Sequence, residues 1–142
     1  MSVNTLLPAP SPLTASALVA LGGAVGSVLR YQLGRVVSQL AGPGNTFPWG
    51  TLAINILGSL AMGVLVGWLA RDPAAGGHGE NLRLLVGVGL LGGFTTFSAF
   101  SAELVTMVHR GEAGLAAGYA AASLVAGMAA VIVGLVAAQS AA

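Results

Sequence analysis

Amide and hydroxyl side chains recur at one-turn spacing inside stretches that are otherwise apolar. Thr51 and Asn55 stand four residues apart in Gly50-Thr51-Leu52-Ala53-Ile54-Asn55-Ile56-Leu57-Gly58, so a helix puts both on one face. The Asn55 amide either bonds to a neighbouring helix as glue or offers its N–H donors to an anion that has shed its water. Arg30 follows Gly22 and Gly26 at the same interval. Its guanidinium either snorkels to the interface or attracts an anion from close to its path. Glu103 is the acid that falls inside an apolar span, and it marks either a vestibule or an interfacial carboxylate. Tyr119 and Ser123, one turn apart, add a stripe of hydroxyls farther along the chain.

The densest pattern is Gly87-Val88-Gly89-Leu90-Leu91-Gly92-Gly93-Phe94-Thr95-Thr96-Phe97-Ser98-Ala99-Phe100-Ser101. Paired glycines followed by two β-branched threonines make poor helix, which predicts a break. Unwound backbone at membrane depth survives only in protein or beside a polar cavity, where its carbonyls can coordinate a small cation. A helix restarting beyond the break places Phe97 and Phe100 on one face, with Ser101 a turn after Phe97. Those rings either pack or turn their electropositive edges to an anion, a neutral contact that suits a hard ion.

Four apolar elements must carry these groups. The chain has 142 residues, 56% of them hydrophobic and 6% charged, and a mean hydropathy of +0.89. Such a composition belongs in a bilayer rather than in a soluble domain. A crossing needs about 20 apolar residues. Spans are expected at 13–36, 48–70, 82–107 and 114–138, joined by Gly42-Pro43-Gly44-Asn45, by a connection from Arg71-Asp72-Pro73 to Gly79, and by Arg110-Gly111-Glu112. Trp49 and Trp68 near the ends of the second span suit the interface. Residues 1–12, with three prolines and no Lys or Arg, read as a disordered tail, and 139–142 as a short C-terminal tail.

A net charge of +1 offers no basic surface for nucleic acid. The absence of cysteine removes disulfides and thiolates, and His78 and His109 lack metal-ligand spacing. No carboxylate pair and no nucleophile with a base shares one span, so an enzyme is not expected. The 22 glycines read as packing residues, with four-residue repeats at Gly22 and Gly26, Gly63 and Gly67, and Gly114 and Gly118. Four such helices have no room for an aqueous pore, which points to self-association. Arg71 and Arg83 fall on one side of the membrane and Arg35 and Arg110 on the other, so the positive-inside rule sets little bias. That balance permits insertion in both orientations and an antiparallel homodimer.

Three strings together resemble the Fluc fluoride channels, also called CrcB proteins. They are Gly22-Gly23-x-x-Gly26-x-x-x-Arg30-Tyr31, Gly50-Thr51-Leu52-x-x-Asn55-x-x-Gly58 and Gly92-Gly93-Phe94-Thr95-Thr96-Phe97-Ser98-x-Phe100. The resemblance implies an all-α membrane protein of four transmembrane helices, the third broken near mid-membrane, forming an antiparallel dual-topology homodimer in a bacterial inner membrane. It also implies passive fluoride export through two pores at the dimer interface, conferring fluoride resistance, with a structural sodium ion on the carbonyls of Gly92 and Thr95. The pore residues it implies are Asn55, Phe97, Phe100, Tyr119 and Ser123, with Thr51 and Glu103 near the permeation path. One departure is Gly127, where many relatives carry another hydroxyl. A competing expectation is a proton-coupled small multidrug-type exporter. That chemistry needs an acid in the first span, which here holds Arg30 instead.

Overall fold

The computed structural model describes residues 9–71 and 76–141, all helical apart from short connections. Residues 1–8 of the expected N-terminal tail, 72–75 of the second connection and the last residue lie outside the described residues. α1 spans Pro12–Ala41 and α2 spans Trp49–Arg71. α3 (Gly76–Leu82) runs into a π-helical stretch (Arg83–Leu91), which continues as the single turn α4 (Gly92–Phe94). α5 (Phe97–His109) and α6 (Ala113–Ser140) complete the chain. Among the described residues, four helical segments are long and apolar enough to cross a membrane: Pro12–Ala41, Trp49–Arg71, His78–His109 and Ala113–Ser140.

Local chemistry sets the helix ends. Ser11 caps α1 by accepting the Thr14 N–H at 3.2 Å, and Pro12, which has no N–H to leave unpaired, takes the first turn. α1 continues past residue 36 as far as Ala41. The next residue, Gly42, leaves the helix at φ 86°. α5 ends on two nested bonds, Glu112 N–H to the Met107 carbonyl and Gly111 N–H to the Val108 carbonyl, each 2.9 Å. Gly111 takes the left-handed φ of 78° that this closure requires. α6 runs on through 139 to Ser140, and Arg71 at the end of α2 donates to the Ala138 carbonyl at 2.7 Å, satisfying a carbonyl of its last turn.

Glycines bring the backbones together in two places. α2 lies on α6, where a Cβ on Gly63 would strike the Val131 carbonyl and one on Gly134 the Leu60 carbonyl. α1 lies on the π-helical stretch and α4, where a Cβ on Gly22 would strike the Leu85 carbonyl and one on Gly26 the Leu90 carbonyl. Water is not available to drive helices together inside a bilayer, so this close van der Waals contact does so. Gly114 and Gly118 do not follow the packing expectation, since a Cβ on either would meet open space within the chain. Large apolar side chains cover the outer surface, among them Leu21, Val28, Val105, Leu124 and Ile132, as a lipid-facing protein requires.

The paired glycines are not where the third segment leaves the helix. Gly92 and Gly93 stay helical, and Gly93 is needed because a Cβ there would come within 2.6 Å of the Gly23 carbonyl. The extended residues are Thr95 (ψ 161°) and Thr96 (φ -149°, ψ 121°). Thr95 N–H closes α4 on the Leu91 carbonyl at 2.9 Å, and Thr96 Oγ1 caps α5 by accepting the Ala99 N–H at 3.2 Å.

Candidate functional site

The two extended threonines expose backbone groups that the helix no longer pairs, and side chains from α1 and α2 take them up. Asn55 makes a two-point clasp on Thr96: its Nδ2 donates to the Thr96 carbonyl at 3.1 Å and its Oδ1 accepts the Thr96 N–H at 2.9 Å. The amide thus acts as glue, with one N–H still free of that pairing. Arg30 reaches across from α1, and its Nη1 donates to the Thr95 carbonyl at 3.2 Å. Gly58 makes room for this arrangement, because a Cβ there would run into Thr95 Cγ2. Beside the clasp lies a recess of about 320 Å³ lined by Asn55, Ser59, Thr95, Thr96, Phe97 and Val131.

One turn earlier on α2, Thr51 donates its hydroxyl to Glu103 Oε1 at 2.6 Å. Tyr119 on α6 donates to Oε2 of the same carboxylate at 2.8 Å. Glu103 is therefore held against α2 and α6 by a hydroxyl on each oxygen, in a half-buried position. Such charge-assisted bonds are short and strong, and they spread the carboxylate charge over two neighbours. Met107 and Tyr119 are fully buried, and Phe47 and Phe100 pack against them. The Tyr119 ring has Phe47 at 5.4 Å and 76° and Phe100 at 5.1 Å and 59°. On the far side of Glu103 a recess of about 180 Å³, with Thr46, Thr106 and Arg110 in its wall, opens towards the end of α5.

Phe97 and Phe100 have ring centroids 6.0 Å apart at 44°. Phe100 packs on Tyr119, whereas Phe97 is 79% exposed within one chain. Ser123 Oγ is buried without a hydrogen-bond partner among the described residues. α2 and α5 thus gather Asn55, Thr51, Glu103, Phe97 and Phe100 along one seam, and α6 closes it with Tyr119 and Ser123. Arg30 and Thr95 join at its other end, while Gly92 stands one turn before Thr96. Ser59 escaped the sequence reading although its spacing, four residues after Asn55 and eight after Thr51, places it on the same stripe.

Four apolar crossings among the described residues, around a half-buried seam of amide and hydroxyl groups, define a small multi-pass membrane protein. Residues 17–135 match the family described as CrcB-like protein, Camphor Resistance (CrcB). The fluoride-specific ion channel FluC of Novosphingobium aromaticivorans is 59% identical over 123 residues, covering 87% of this chain and 94% of that protein. Proteins of the same name from Erythrobacter litoralis and Agrobacterium fabrum are 52% identical over 126 residues and 53% identical over 119. These cover 87% and 84% of this chain, and 91% of each relative. The chain belongs to the CrcB family, a family of ion channels and not of enzymes.

Proposed function

We propose that this protein is a fluoride-selective channel that lets cytoplasmic fluoride leave down its gradient. The relatives' names support the reading, and one observation carries it structurally: Ser123 holds a buried hydroxyl with no partner among the described residues, next to a seam of amide and hydroxyl groups. A hydroxyl in that state offers an anion a bond that nothing else uses. Fluoride is small and strongly hydrated. A line of neutral donors can replace its water without binding it so tightly that it cannot leave. Undissociated HF enters from an acidic exterior and ionises inside, so passive exit of the anion confers resistance.

The channel we propose is an antiparallel homodimer in the bacterial inner membrane, with the third crossing of each copy interrupted at Thr95 and Thr96 and a pore on each side of the interface. Its support is the balanced arginine tally and the exposed Phe97, which the second copy would cover. Asn55, Phe97, Phe100, Tyr119 and Ser123 line the path, with Thr51 and Glu103 beside it and Arg30 at its vestibule. A structural sodium ion fits the donors at the interruption. Thr96 N–H turns to Asn55 rather than back to the Gly92 carbonyl, and the Thr95 carbonyl keeps a lone pair beyond its bond to Arg30. Two neutral oxygens from each of two copies suit a hard monovalent cation, which would supply positive charge at the centre of the dimer.

Fluoride efflux from liposomes holding the purified protein, with chloride as control anion, tests the function. Rapid fluoride release with chloride retained is the expected result, and vesicles that keep both ions would refute it. A C-terminal tag should be accessible from both membrane faces; one orientation in every cell would sink the antiparallel dimer.

A further inference from the structure

Ser59 continues the stripe of Thr51 and Asn55 by one more turn of α2 and lines the recess beside the Asn55 clasp. Hydroxyls on helices commonly commit their proton to the carbonyl four residues back. Ser16, Thr95, Ser101, Thr106 and Ser140 all do so here, at 2.8–2.9 Å. Ser59 makes no such bond among the described residues. Across from it stands Gly127 on α6, one turn past the unpartnered Ser123, and a Cβ built on Gly127 would lie 3.5 Å from Ser59 Oγ. At this level α6 contributes no side chain, and the hydroxyl beside the gap comes from α2.

We infer that Ser59 is a further anion-binding residue, donating its Oγ–H to fluoride as the ion passes between the Asn55 recess and the Ser123 hydroxyl. The inference rests on the fluoride-channel reading. A hydrogen bond to a charged partner in the interior is worth a tenfold or greater change in occupancy. A serine present only for its small size beside Gly127 would have no such effect, since alanine is smaller still.

The test is fluoride efflux from liposomes carrying wild-type protein, Ser59→Ala, and the double variant Ser59→Ala with Gly127→Ser. The double variant returns a hydroxyl to the same gap from the opposite helix. Ser59→Ala removes one oxygen without adding bulk, so its assembly is not at risk. Expected is a fall of about tenfold in Ser59→Ala and recovery of most of that loss in the double variant. Wild-type flux in Ser59→Ala would overturn the Ser59 role while leaving the channel reading intact. So would a double variant that assembles yet conducts no better than Ser59→Ala. A wild-type protein that releases no fluoride would overturn both.

Discussion

Replacing Asn55 by leucine, a side chain of similar shape, removes both arms of the clasp on Thr96. The Nδ2 bond of 3.1 Å and the Oδ1 bond of 2.9 Å go together, and Thr96 keeps an N–H and a carbonyl with nothing to bond. Each orphaned group costs about 1–3 kcal/mol, so the pair should cost about 2–6 kcal/mol. Against a typical net stability of about 5–15 kcal/mol, that is a large fraction. Asn55→Asp separates structure from conduction. It keeps an acceptor for Thr96 N–H but sets a second oxygen against the Thr96 carbonyl, so about half the loss is expected. Its negative charge should nevertheless abolish fluoride flux. Reversible unfolding in mixed micelles reads the first quantity and liposome efflux the second. The clasp argument fails if Asn55→Leu unfolds within about 0.5 kcal/mol of wild type, the range of an inconsequential surface change. Should Asn55→Asp conduct like wild type, Asn55 does not touch the ion.

Three further substitutions probe the seam and its frame. Phe97→Ile keeps apolar bulk at a position with little packing inside the chain, so stability should change by less than about 1.5 kcal/mol while fluoride flux falls sharply with the lost ring edge. An assembled Phe97→Ile dimer with wild-type flux would show that the ring only packs. Tyr119→Phe strips the donor from one oxygen of a half-buried carboxylate and should cost about 1.5–3 kcal/mol. Glu103→Gln should cost less, because the hydroxyl facing the new Nε2 can turn to accept from it while the other still donates to Oε1, and the reverse order of unfolding midpoints would contradict the seam's hydrogen bonding. Gly134→Ala drives a methyl at the Leu60 carbonyl and should cost about 1–3 kcal/mol. Gly118→Ala, on an open face, should leave a single chain's packing unchanged, and equal effects of the two on folding would refute the glycine contacts.

The crossings were legible because length and apolar content are properties of a segment by itself, and the shared face of Thr51 and Asn55 follows from helical period alone. What those two residues hold was not legible. Thr51 meets Glu103 and Asn55 meets Thr96 from more than 40 positions away in the chain, and no local pattern encodes such a pairing. The bond from Arg30 to the Thr95 carbonyl, 65 positions away, was hidden for the same reason. Glycine misled where its two uses conflict: Gly92 and Gly93 read as helix breakers, yet Gly93 serves close contact with Gly23 while the threonines after it take the extended conformation. The π-helical stretch was equally hidden, since its wider turn goes with contacts to α1 rather than with any run of unusual residues.

The Asn55 clasp also bears on how the chain is made. A ribosome delivers α2 to the bilayer before it delivers the segment from α3 to α5, so the amide is already in place when Thr96 arrives. Without it, an N–H and a carbonyl would enter hydrocarbon bare, at a cost of several kilocalories per mole for each. Synthesis order would therefore let the earlier helix chaperone the later one, and we expect the third crossing to insert poorly as an independent unit. Transplanted alone behind a signal sequence, it would leave the translocon poorly; expressed after α2, it would enter with Thr96 already matched.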